Sequence, residues 1–183
     1  MLRLKDVLTG PCHVIQVLTG REMIVKSELE RVFQMASRQE QIVILVPLLE
    51  KIVLRDRYRH EVIRERLFPG YLFLFGALDD MIYHKIIRNR RVSQFLKVGD
   101  TLYALPEKEW HLIGELCNGE GVAELSEVDF DENDRIFVIS GAMKNLAGKV
   151  VKVNKRKRFA VVEMTFLGQA IRMQFHFTML QKI

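Results

Sequence analysis

Residues 134–183 read DRIFVISGAMKNLAGKVVKVNKRKRFAVVEMTFLGQAIRMQFHFTMLQKI. Short runs rich in Val, Ile and Phe recur here between glycines. They are Arg135–Ser140, Lys149–Val153, Phe159–Met164 and Ala170–Gln174, with Gly141, Gly148 and Gly168 at the turns. Period-two apolar spacing bounded by turn residues is the pattern of half-buried strands. With a final short strand near Met179–Gln181, the stretch reads as a small five-stranded barrel or roll. It carries ten Lys/Arg against two acids, +8 in a chain whose total is +5. A compact module this basic meets polyanions, and nucleic acid is the leading candidate.

Immediately upstream the charge reverses. Residues 119–133 hold Glu120, Glu124, Glu127, Asp129, Asp131 and Glu132 with no Lys or Arg, and open on Gly119 and Gly121. This reads as an acidic interdomain linker. Residues 1–118 are nearly balanced, with 18 basic and 15 acidic side chains, and form a first domain. No apolar run approaches the roughly 20 residues of a membrane helix. The start of the chain lacks the pattern of a signal peptide, and Cys12 and Cys117 read as two buried thiols. A soluble cytoplasmic protein with no membrane partner is expected.

Within the first domain, Cys12–Leu18 and Ile42–Val46 read as buried strands. Thr19 and Glu22 stand at capping-box spacing before a helix with Val25, Leu29, Val32, Phe33 and Ala36 inward. Ile52–Leu54 and Val62–Ile63 flank a charged hairpin tip, and Phe68–Phe75 is a strand apolar on both faces, covered on both sides or with one face kept for a partner. Asp79-Asp80 opens a second helix, and Phe95–Leu105 returns as strand through a turn at Gly99-Asp100. Pro106 opens a third helix whose inner stripe is Trp110, Ile113 and Leu116. The fold class is α+β: an N-terminal antiparallel sheet with helices on one face (1–118), the acidic linker (119–133) and a C-terminal β-barrel (134–183).

Catalytic constellations are absent from the pattern. The five histidines are scattered, and there is no His-Glu-x-x-His, Cys-x-x-Cys, phosphate-cradling glycine loop or Gly-x-Ser-x-Gly elbow. The chain is expected not to be an enzyme, with no catalytic residues, metal ligands or cofactor. Three features remain. The basic turn supplies Lys152, Lys155, Arg156, Lys157 and Arg158 to neutralise phosphates, with Phe159 either a stacking surface or core. The hairpin tip supplies Arg55, Arg57 and Arg59 around Tyr58, either a nucleic-acid contact or a solvated tip. The aromatic run Phe68-Pro69-Gly70-Tyr71-x-Phe73-x-Phe75 is half core, with the other half free for a protein partner.

Ile15-Gln16-Val17, Thr19-Gly20-Arg21-Glu22 and Glu65-Arg66-Leu67-Phe68-Pro69-Gly70-Tyr71 resemble the N-terminal (NGN) domain of the NusG family of transcription elongation factors. Val138–Met143 followed by Leu146–Val150 resembles that family's KOW motif, which opens an SH3-like barrel. The resemblance covers nearly the whole chain. It implies a factor that docks on the clamp helices of RNA polymerase, suppresses pausing or termination, and contacts nascent RNA. The implied docking residues are Phe68, Tyr71 and Phe73. His13 joins them, standing with Cys12 where members usually carry an aromatic pair. The hairpin Leu54–Ile63 matches the family's charged hairpin near non-template DNA. Met143 stands where the general factor places an aromatic that meets a termination factor or a ribosomal protein. With the basic 152–158 turn, this resembles the LoaP group of antiterminators, which engage an RNA hairpin. The alternatives are the general NusG factor and a ribosome-associated KOW RNA-binding protein.

Overall fold

The computed structural model describes residues 4, 8, 10–35, 42–56, 59–146 and 149–180. The first part of the chain runs β1 (Cys12–Val17), α1 (Glu22–Met35), β2 (Val43–Leu45), β3 (Leu48–Leu54), β4 (His60–Arg66), β5 (Tyr71–Phe75) and α2 (Asp80–Ile87). It continues through β6 (Val92–Phe95), β7 (Lys97–Val98), β8 (Thr101–Leu102), β9 (Ala104–Leu105) and α3 (Glu107–Leu116). The remainder is β10 (Val122–Ala123), β11 (Ser126–Phe130), β12 (Ile136–Ser140), a 3-10 turn (Ala142–Asn145), β13 (Lys149–Asn154), β14 (Phe159–Phe166) and β15 (Gln169–Met179).

Strands β2-β5-β1-β6 form an antiparallel sheet, with β9 also paired to β1. Alternation along β5 decides its two faces. Leu72 and Leu74 pack with Ile15, Val17, Val25, Leu29, Phe33, Ile82 and Ile86, beneath α1 and α2. Phe73 and Phe75 point the other way with Cys12 and Val14, toward Ile113 and Leu116 of α3. Helices therefore cover both faces rather than the one expected. α2 is capped as its sequence predicts: the Asp79 carboxylate accepts the Ile82 N–H at 2.7 Å.

The C-terminal sheet has the order β12-β11-β15-β14-β13. Two expectations are corrected here. The fifth strand is not a terminal segment at Met179–Gln181, because β15 runs unbroken to Met179; it is β11, from inside the acidic stretch. Ser126 and Val128 face inward while Glu127 and Asp129 alternate outward, so the stretch has the pattern of an edge-proximal strand that its charge disguises. Upstream, Val122-Ala123 pairs in parallel with Leu48-Leu49 at the base of the β3–β4 hairpin. Residues 122–130 are thus built into both halves and do not form a free linker.

One apolar cluster runs through both halves, joining Phe68, Phe73 and Phe75 to Val128, Val162, Phe166, Phe175 and Phe177. The turn at Gly141 is forced by this packing. Its φ of +86° and ψ of −169° lie in a region that only glycine occupies readily. A Cβ there would sit 2.4 Å from the Leu125 carbonyl oxygen. Ala147 and Gly148 of the KOW-like motif lie outside the described residues.

Candidate functional site

The Thr19–Glu22 and Phe68–Tyr71 signatures meet in space. Glu22 does not complete a capping box with Thr19. Its side chain is fully buried, and Oε1 accepts the N–H groups of Gly20 at 3.0 Å and Gly70 at 2.8 Å. The Arg66 guanidinium lies 3.5 Å from Oε2. Burial alone would raise this carboxyl's pKa. The backbone N–H groups of Gly20, Glu22 and Gly70, together with the Arg66 charge, outweigh burial and hold it below the usual carboxylate range. Phe68–Gly70 is consequently a turn, with Gly70 at φ +84°, and the strand begins only at Tyr71. A Cβ on Gly70 would press within 3.1 Å of the Thr19 hydroxyl. The two signatures are one device that sets where the aromatic strand starts.

That strand's aromatic face is closed by the chain itself. Phe166, at the end of β14, stacks on Phe68 with centroids 4.3 Å apart and planes at 19°, and meets Phe73 edge-on at 6.1 Å. Phe68 and Phe73 are edge-to-face at 5.5 Å. Phe68 is 8% exposed, Phe73 0% and Phe166 4%. Beside this trio Trp110 meets Phe75 edge-on at 5.8 Å, and the Glu109 carboxylate accepts the N–H of Leu167 in the β14–β15 turn. Of the four residues implied to dock, Phe68 and Phe73 are buried under the C-terminal sheet and Tyr71 is half-buried. His13 pairs with Leu74 across the sheet, which places it on the opposite, helix-covered face. Cys12 and Val14 are the β1 residues that share the aromatic face. Met143 is likewise buried, in the cluster that includes Leu116 and Cys117. Burial pushes the thiols of Cys12 and Cys117 up to about 12, and both are free.

The basic features divide by partner. On the hairpin, Arg55 pairs with Glu61, Lys51 with Glu65, and Arg64 with Glu50 at 3.3 Å. Arg59 is exposed at the tip, where its N–H donates to Asp56, and Arg57 and Tyr58 lie outside the described residues. On the basic turn, Lys155 pairs with Asp134 and sits 4.0 Å over the Phe130 ring, so its charge is already engaged. Arg158 adopts φ +53°, and its carbonyl accepts the Phe177 N–H at 2.9 Å, tying the turn to β15. Lys152 is exposed on the edge strand β13. Arg156 and Lys157 are exposed and have no acidic partner among the described residues.

The tertiary structure brings hairpin and turn together. A groove of about 740 Å³ runs between them, lined by Ile52, Leu54 and His60 on the hairpin side and by Asn154, Arg156, Lys157, Phe159, Gln174 and His176 on the other. Gln174 and His176 Nε2 are 2.8 Å apart. With the amide donating, the imidazole carries its proton on Nδ1, which is buried and without a partner. Burial first, then Lys51, outweigh the Glu65 charge and lower the His176 pKa, so the ring is neutral at pH 7. The sequence marked Arg156 and Lys157, but not Phe166, Glu109, Gln174 or His176, whose roles arise from contacts between distant segments.

No group of three or more His, Cys, Asp or Glu among the described residues converges to hold a metal, and no helix among them is long and apolar enough to cross a membrane. A family model for the transcription termination factor nusG matches residues 13–114. The transcription termination/antitermination protein NusG of Thermus thermophilus is 27% identical over 178 residues, covering 93% of this chain and 97% of its own length. That of Helicobacter pylori J99 is 24% identical over 172 residues with the same coverage. Among solved structures, one describing domain interaction in Thermotoga maritima NusG aligns with a TM-score of 0.61 at 20% identity, over 91% of this chain and 93% of that one. With the family model spanning more than half of the sequence and the relatives aligned over nearly all of it, the chain belongs to the NusG family of transcription termination/antitermination proteins.

Proposed function

We propose that this chain is an elongation and antitermination factor that docks on the clamp helices of RNA polymerase through the aromatic face of β5 and contacts nascent RNA through its basic β module. The observation that carries this reading is the aromatic face itself: Phe68, Tyr71 and Phe73 form a contiguous apolar surface whose cover, Phe166, belongs to the other module. Docking then requires the C-terminal module to swing away, with Glu124-Leu125 between β10 and β11 as the hinge. The units of that motion are the N-terminal half with β10, up to Ala123, and the C-terminal sheet with β11, from Ser126. Binding across the polymerase cleft acts as a brace that favours the closed, pause-resistant enzyme, by preferential affinity for that state. The unpaired Arg156 and Lys157, together with Met143 in place of an aromatic, support a specialised, RNA-engaging member of the LoaP type. Non-template DNA is the second polyanion within reach of the hairpin arm.

The test is a reconstituted transcription assay coupled to binding. Wild-type chain is expected to bind polymerase and change pausing or readthrough. Tyr71→Ala, half-buried and so tolerated by the fold, is expected to weaken binding with little loss of stability. Retention on ribosomes but not on polymerase would turn the reading to the ribosome-associated alternative. Absence of both polymerase binding and any effect on pausing would refute it.

A further inference from the structure

We propose that the groove between the β3–β4 hairpin and the 152–158 turn is a binding site for a short single-stranded segment of nucleic acid, with a phosphate on Arg156 and Lys157 and a base laid against Phe159. The proposal deepens the RNA contact above and rests on it for the polyanion, but it places the ligand between the two modules rather than on the basic module alone.

Charge comes first. Several cations near the groove are already matched: Lys51, Arg55 and Arg64 on the hairpin, Lys155 and Arg172 on the C-terminal sheet. Arg156 and Lys157, which have no acidic partner among the described residues, line the groove, and no carboxylate is among its described lining residues. An unmatched pair of cations on a concave wall is where a phosphate is most strongly attracted.

Shape and hydrogen bonding agree with this. Phe159 is half-buried, its ring 6.0 Å from that of His176, and Ile52 and Leu54 supply apolar surface opposite. A cationic groove with an aromatic platform is the general solution for single strands, because every base has a π-face. The groove is the size of small-ligand pockets, about 300–1,000 Å³, which suits an unstacked nucleotide and not a duplex. His176 lines the groove but is only 7% exposed, with its Nδ1 buried. Gln174, exposed beside it, has amide capacity left for a base edge. The site is complete only while the modules are together. By linkage, an occupied groove favours the closed arrangement, in which Phe68 and Phe73 are covered.

The experiment is fluorescence anisotropy of the full chain with labelled hexauridylate, hexathymidylate and an RNA hairpin across a salt series. Single strands are expected to bind. Arg156→Ala and Lys157→Ala each lower the log–log salt slope by about 0.7. Phe159→Leu weakens binding about fivefold or more. Leu54→Glu, at an exposed position of the N-terminal half, weakens it about fivefold or more with an unchanged thermal melt. Equal affinity for both hexamers makes the ligand either nucleic acid, and tighter uridylate makes it RNA. If the hairpin probe binds and only the basic-turn variants matter, while Leu54→Glu is silent, the groove is overturned and the RNA contact stands. If no probe binds, both fall.

Discussion

Replacing Phe166 by Leu isolates the contact that covers the aromatic face. Leucine keeps most of the apolar volume that Phe166 contributes to the C-terminal sheet, so the module retains its own core. What is lost is the stack on Phe68 at 4.3 Å and the edge contact with Phe73 at 6.1 Å. Aromatic pairs contribute about 0.5–1.5 kcal/mol each beyond the area they bury, so the closed arrangement loses about 1–3 kcal/mol. At about 1.4 kcal/mol per decade the open fraction rises about 5- to 150-fold. Where the closed form dominates, apparent affinity scales with the open fraction, so the polymerase Kd tightens by the same factor. Small-angle scattering reads the opening as a larger radius of gyration, and biolayer interferometry with core polymerase reads the affinity. Glu109→Gln, which weakens the acceptor for Leu167 N–H at the same edge, is expected to act in the same direction with a smaller effect. If Phe166→Leu leaves both radius and polymerase affinity unchanged while the fold melts normally, the closed interface does not gate docking.

Four further outcomes follow from individual contacts. Glu22 has a lowered folded pKa, so it stabilises the fold at neutral pH; that contribution fades as pH falls below the ordinary glutamate value of about 4.3 and through the folded pKa. Urea unfolding between pH 3 and 7 should show the loss, and Glu22→Ala should flatten it while costing about 3–5 kcal/mol at pH 7, with Arg66 left unpaired. Gly141→Ala meets both a glycine-only backbone region and the Leu125 carbonyl, and is expected to destabilise by at least about 1–3 kcal/mol in chemical denaturation. Cys12 and Cys117, buried and with thiols near 12, should react with a disulfide reagent only on unfolding; rapid modification of the native chain would contradict their placement. Lys155→Ala should change the RNA salt slope less than Arg156→Ala does, because Asp134 and the Phe130 ring already engage that ammonium.

Much of the local structure was legible because its causes are local. Asp79 announces the start of α2, and Gly99-Asp100 the tight β7–β8 hairpin. The alternation of YLFLF marks a strand buried on both faces. Errors arose where one local signal masked another. Six acids made residues 119–133 read as a linker, although Ser126 and Val128 alternate inward and complete the C-terminal sheet. Thr19 and Glu22 have the spacing of a helix cap. Glu22 instead answers Gly70, forty-eight residues away, because two N–H groups and a guanidinium converge there.

By itself the sequence determined an α+β chain with a basic β module, the family signatures, and an aromatic strand with more apolar surface than one core face requires. Hydrophobic burial is non-directional, however, and says only that such surface must be covered, not by what. Tertiary structure decided that: the Phe68–Phe73 face is filled by Phe166 from the chain's own C-terminal sheet, and His13 lies on the far side. It also decided which cations keep an open charge, since pairing depends on the register that sets Arg55 beside Glu61 and Lys155 beside Asp134. Arg156 and Lys157 are among those left open, facing a groove whose other wall begins a hundred residues earlier in the chain.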